Sequence, residues 1–137
     1  MAETIRRVDY FYIVTPDKPG EGARALATLQ DAGINLLAFT GFPKGRSAQL
    51  DFVPADPAAF VQAAKRARWK LSPRKTAFLV EGEDRVGALA DVAARLAAAK
   101  INVTASNAIC AWGGRYGAII WVKPRDVNRA AKVLGVA

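Results

Sequence analysis

The sequence predicts an α+β fold built from two ferredoxin-like βαββαβ modules, each an antiparallel sheet with helices on one face. Three observations carry that prediction. The first is a repeat: residues 17–35 and 84–102, laid over each other without a gap, agree at eight of nineteen positions. The matched pairs are Asp17/Asp84, Gly20/Gly87, Ala23/Ala90, Ala27/Ala94, Leu29/Leu96, Ala32/Ala99, Ile34/Ile101 and Asn35/Asn102. The second is the order of elements, which reads strand, helix, strand, strand, helix, strand in each half; right-handed crossovers leave few other topologies for that order. The third is composition. Of 137 residues, 52% are hydrophobic and 23% charged, enough to bury a core. A half of the chain alone is marginal, so the two halves are expected to share a sheet or an interface.

The elements follow in chain order. Residues 8–14 are β-branched and aromatic and read as a strand. The turn Thr15-Pro16-Asp17-Lys18-Pro19-Gly20 leads into a helix over 21–32, with Asp17 placed as its N-cap, Pro19 in the first turn and Gly33 as its stop. Residues 34–42 and 48–53 form a hairpin across Pro43-Lys44-Gly45-Arg46-Ser47, with Leu50 and Phe52 on one face and Gln49 and Asp51 on the other. Asp56 caps a second helix that opens at Pro57 and fades near Arg68, and residues 69–73 close the first module as a short edge strand. The second half repeats this: strand 75–81, a loop through Asp84 and Gly87, helix 88–99, strands 103–111 and 116–122, and a helix from Pro124 to Leu134. Pro57, Ala63, Ala64 and Lys65 recur as Pro124, Ala130, Ala131 and Lys132.

The modules are residues 1–70, with an N-terminal extension strand, and residues 71–137, which lack an obvious fourth strand. Residues 4–7 fall opposite 71–74 in the repeat frame, so the N-terminal extension, or a partner chain, is expected to cover the open edge.

Composition excludes several functions. The chain has no histidine and one cysteine, Cys110, which removes imidazole-based catalysis, internal disulfides and cysteine metal clusters. No cofactor is expected. No apolar stretch approaches the ~20 residues of a membrane span, and the reading is a cytoplasmic protein with no membrane partner. Net charge is +8, and no acidic residue lies between Asp56 and Glu81, while Lys65, Arg66, Arg68, Lys70, Arg74 and Lys75 cluster. That patch reads as a solvated helix face and exit; it also fits nucleic acid. Against nucleic acid, the signature of sheet-borne RNA binding is missing: residues 48–53 offer one aromatic, and residues 116–122 do not fit its spacing.

Two βαββαβ units, each with an Asp-x-x-Gly loop and an Ile-Asn at the second strand, resemble tandem ACT domains, small regulatory modules that bind amino acids. The resemblance covers about residues 8–70 and 75–135. Asp17-Lys18-Pro19-Gly20 with Gly33-Ile34-Asn35 looks like the family signature in full; the second copy departs from it at Val86 and Lys100. Gly114-Arg115-Tyr116-Gly117 and Val122-Lys123-Pro124 look like the stand-alone two-ACT proteins of bacteria. The resemblance implies a non-catalytic regulatory module and a homodimer, which either regulates an enzyme in trans or acts as a carrier. It places the ligand between the first loop of one module and the second-strand start of a neighbouring one.

The residues suit that chemistry. A loop ending in a helix N-terminus offers N–H groups to a carboxylate, glycine permits close backbone approach, and Asp and Asn serve an ammonium. The candidate ligand contacts are Asp17, Lys18, Gly20 and Asn35, and Asp84, Arg85, Gly87 and Asn102. Each has a plainer reading: helix caps for the aspartates, helix–strand packing for the glycines, backbone bonding for the asparagines. Cys110 reads as a small strand residue, and Trp112 and Tyr116 as an aromatic pair packed at a hairpin end, with a pocket lining as the alternative. An acylphosphatase-like site using Arg85 with Asn102 or Asn107 lacks the glycine-rich phosphate loop.

Overall fold

A computed structural model describes residues 3–136. Among these the fold is α+β: six strands and four α-helices, divided into two compact units. One unit is Asp9–Lys75; the other joins the described residues up to Val8 with those from Thr76 onward.

In the 9–75 unit, β1 (Thr4–Pro16, shared at its start with the other unit) is followed by α1 (Glu21–Asp31), β2 (Leu36–Lys44), β3 (Ser47–Pro54) and α2 (Pro57–Arg66). β3 lies between β1 and β2, antiparallel to both, with Phe52 opposite Phe11 and Phe39. The core forms where these strands meet the helices: Phe11, Leu29, Phe52, Phe60 and Ala63 are buried together. Phe52 stacks on Trp69 at 5.5 Å and meets Phe60 at 5.5 Å, contacts worth ~0.5–1.5 kcal/mol each beyond burial.

One expectation fails in this unit. Residues 69–73 form no strand. Trp69 turns into the aromatic core, and the segment touches β1 through Tyr12, whose N–H donates to Ser72 Oγ and whose carbonyl accepts from the Ser72 N–H. Pro73 then has no N–H to continue a ladder. Asp51, on the strand face opposite Leu50 and Phe52, is only 5% exposed. Burial pushes its carboxyl up, opposed by a hydrogen bond from Gln49 Nε2 at 2.8 Å and by Lys44 and Lys75. Burial, then Asp51, also pushes the Tyr10 phenol up to about 12.

The other unit contains β4 (Lys75–Glu83), α3 (Ala88–Ala98), β5 (Val103–Cys110), β6 (Arg115–Val122) and α4 (Val127–Leu134). β6 pairs antiparallel with β4 and β5, and Phe78, Val92, Leu96, Ile120 and Ala130 lie in its core. The start of β1 belongs here: Ile5 packs on this core, Glu3 pairs with Arg95, and the Glu3 backbone passes beside Gly82 of β4.

The repeat is accurate down to irregularities. α1 and α3 start and stop 67 residues apart, and a register shift falls between Leu36 and Ala38 and again between Val103 and Ala105. Where the copies differ, a side chain explains it. Asp56 Oδ1 accepts from the Ala59 N–H at 3.1 Å and starts α2 cleanly. Lys123, its counterpart, offers no acceptor, and α4 is entered through a 3-10 turn at Pro124–Asp126.

Candidate functional site

The two repeated loops end in the same backbone device. Gly20 (φ 93°) and Gly87 (φ 78°) are the N-cap residues of α1 and α3, both left-handed and neither with a side-chain cap. Asp17 and Asp84 are therefore not helix caps, contrary to the sequence reading: each sits three residues before its capping glycine, and both are exposed. Pro19 likewise precedes α1 rather than entering its first turn. Packing against a strand is not what selects the glycines either. A Cβ at Gly20 or Gly87 would meet nothing within 4 Å; the positive φ is the requirement, since an L-residue there costs ~1–2 kcal/mol.

The loops then diverge. In the first, Lys18 Nζ (3.7 Å) and Arg24 Nη1 (2.9 Å) both reach Glu21 at the start of α1, so its cations are drawn onto the helix's own carboxylate. In the second, the Asp84 N–H donates to Gly114 O at 2.8 Å, and Asp84 Oδ2 accepts from Cys110 Sγ at 3.2 Å. Arg85 turns away to Asp91 at 2.6 Å. The second loop is thus fastened to the end of the β5–β6 hairpin, and a cavity of about 330 Å³ results, lined by Asp84, Arg85, Gly87, Ile109, Cys110 and Tyr116 among others.

Three of the expected residues, Asp84, Arg85 and Gly87, thus meet at one cavity. Asn102 does not join them. It lies beyond the C-terminus of the 11-residue α3, roughly 16 Å of helix away. Asn35 stands in the same relation to Asp17, Lys18 and Gly20; it lines a separate cavity of about 440 Å³ with Leu26, Gln30 and Gly33. Both asparagines are exposed, and the Asn35 carbonyl accepts from the Ala55 N–H.

Sequence reasoning undervalued two residues here. Tyr116 and Trp112 do not pack as a pair: Trp112 is 90% exposed and Tyr116 only 7%. Tyr116 lines the cavity, and its hydroxyl has no hydrogen-bond partner among the described residues. Burial, then Glu3, pushes its phenol up, so it remains a donor at neutral pH. Cys110 is exposed and lines the same cavity, and its hydrogen bond to Asp84 pushes the thiol up. Its place at the end of β5 opposite Tyr116 follows from the strand register, which local sequence does not report. No cluster that could hold a metal ion occurs among the described residues, and no described helix is long and apolar enough to cross a membrane.

Residues 76–136 match the family model of the ACT domain. That stretch contains the Asp84–Gly87 loop, the cavity and Asn102. Among curated proteins, none matches the sequence. Solved structures with the same fold include protein BT0572 from Bacteroides thetaiotaomicron, with TM-score 0.82 and 18% identity over 94% of this chain and 87% of that one. The regulatory subunit of aspartate kinase from Thermus thermophilus aligns with TM-score 0.64 and 16% identity over 98% of this chain and 96% of that one. Its counterpart from Thermus flavus gives TM-score 0.63 and 19% identity, with 98% and 94% covered. At these identities the likeness is one of fold.

Proposed function

We propose that this protein is a non-catalytic regulatory module that binds a free amino acid. The observation that carries the reading is the α3 corner: a glycine-opened helix N-terminus without a side-chain cap, facing a cavity with Asp84, Arg85 and a buried tyrosine hydroxyl. The ligand carboxylate takes the N–H groups and positive potential at the helix start, and Asp84 takes the ammonium. The first corner, with Asp17, Lys18 and Gly20, offers the same backbone with its cations held by Glu21. Asn35 and Asn102, at the far ends of their helices, complete sites across a homodimer by serving the loops of a second copy. The ACT match over residues 76–136 and the fold shared with aspartate kinase regulatory subunits support regulation of an enzyme in trans, in the cytoplasm.

A thermal-shift screen of the twenty amino acids tests this. A ligand at 100 times its dissociation constant stabilises by ~2.7 kcal/mol. Asn102→Ala and Tyr116→Phe should each weaken the response while leaving the unliganded melt within ~1 kcal/mol of the parent. Absence of any shift, alongside a shift with single-stranded RNA, refutes the proposal.

A further inference from the structure

A cavity of about 600 Å³ in the 9–75 unit is framed by the end of β1, by the face of α1 bearing Glu21, Arg24 and Thr28, and by the chain leaving α2. None of Asp17, Lys18, Gly20 or Asn35 lines it. Three cations, Arg24, Arg68 and Lys70, meet there against one carboxylate, Glu21. That carboxylate is already engaged by Arg24 and Lys18. Arg68 and Lys70 have no ion-pair partner among the described residues.

The backbone supplies a second, independent observation. Arg68 holds φ 58°, in the left-handed region. It follows the α2 C-cap, donating its N–H to Lys65 O while Trp69 N–H donates to Ala64 O, each at 3.0 Å. This is the helix-ending position where glycine is favoured, and the counterpart after α4 is indeed Gly135, φ 75°. Complementing the helix dipole does not explain an arginine here, because Lys65 and Arg66 already occupy the last turn of α2. Lys100, φ 60°, likewise follows α3 where its twin is Gly33, but it lines none of the cavities described above; Arg68 combines the strained backbone with a place at a cavity, which points to a task for its charge.

We propose that this cavity binds a small phosphorylated molecule, with Arg68 and Lys70 holding the phosphate and Arg24 at its side. Two unpaired cations match the charge of a phosphate monoester, ~−1.5 to −2 at neutral pH, and an arginine fork with a lysine point charge suits its oxygens. The one aromatic in its lining, Trp69, is packed on Phe52 and Phe60, so no ring is offered to stacking bases, which favours a small ligand over a nucleic-acid strand.

Calorimetric titration of the full chain with inorganic pyrophosphate, at about 150 mM salt to suppress diffuse attraction, tests this, with melting recorded for each variant. Arg68→Gly should melt higher than the parent and bind at least ~10-fold more weakly; Lys70→Ala should lose similar affinity without the stabilisation. Arg46→Ala, at the exposed β2–β3 turn outside the cavity, should bind as the parent does. The proposal fails if the parent shows no saturable binding, if Arg68→Gly binds normally, or if Arg46→Ala loses as much as the cavity variants. It fails equally if single-stranded RNA binds through Arg68 while pyrophosphate does not.

Discussion

The Asp17–Gly20 and Asp84–Gly87 turns share a backbone and differ in what they are tied to. Both place a left-handed glycine at a helix start with no side-chain cap. The first spends its cations on Glu21, the first residue of its own helix, while the second is fastened across to Gly114 and Cys110. A local tie leaves a solvated turn; a tie to the neighbouring hairpin makes one wall of a cavity. A motif copied within one chain therefore conserves the backbone conformation it encodes, but not the pocket, which depends on partners outside the motif.

The sharpest test of equivalence lies beneath the turns, where Leu29 (1% exposed) and Leu96 (0%) occupy the same repeat position in separate cores. Leu29→Ala and Leu96→Ala should each cost ~2–5 kcal/mol in denaturant unfolding. A second transition in either variant would show that the two units unfold as separate bodies; coincident single transitions would show one cooperative body. Next in size, Gly20→Ala and Gly87→Ala should each destabilise by ~1 kcal/mol or more, because both glycines lie at positive φ. A loss at only one would mean that the other turn can relax.

The smallest effect separates the two ties directly. Asp84 accepts from Cys110 and pushes its thiol up, so less of it is thiolate at a given alkaline pH. Asp84→Asn should lower the pH midpoint of Cys110 alkylation with little change in melting temperature. An unmoved midpoint would mean that the Asp84–Cys110 contact does not persist in solution.

Much of the fold was legible in the sequence because apolar spacing and the repeat report directly on burial. The helix after each loop and the order of elements came from that pattern, down to the start at Glu21 and the stop near Gly33. The caps were misread because an Asp three residues before a glycine fits a capping pattern as well as a turn, and only backbone geometry shows that Gly20 and Gly87 take the role. Residues 69–73 look like a strand by composition, yet Trp69 gains more against Phe52 and Phe60 than a ladder ending in proline offers. The site was half legible. Asp84, Arg85 and Gly87 are close in sequence and meet at a cavity, whereas the value of Tyr116 and Cys110 depends on a strand register that no local pattern reveals. Arg68 was visible only as one cation of a basic run; a left-handed backbone together with a place at a cavity set it apart.

The division of β1 between the two units has a consequence for synthesis. Its residues up to Val8 leave the ribosome before the 9–75 stretch, yet their unit resumes only at Thr76. At ~5–20 residues per second, the intervening chain keeps Ile5 without its core for roughly 3–14 s, while the residues of the 9–75 unit emerge in an unbroken run. This segment is made well before its core, and for those seconds it is a short, cationic strand with nothing to pack on. Arg6 and Arg7 beside Ile5 are the kind of charge that keeps such a strand from pairing with its neighbours on a crowded message.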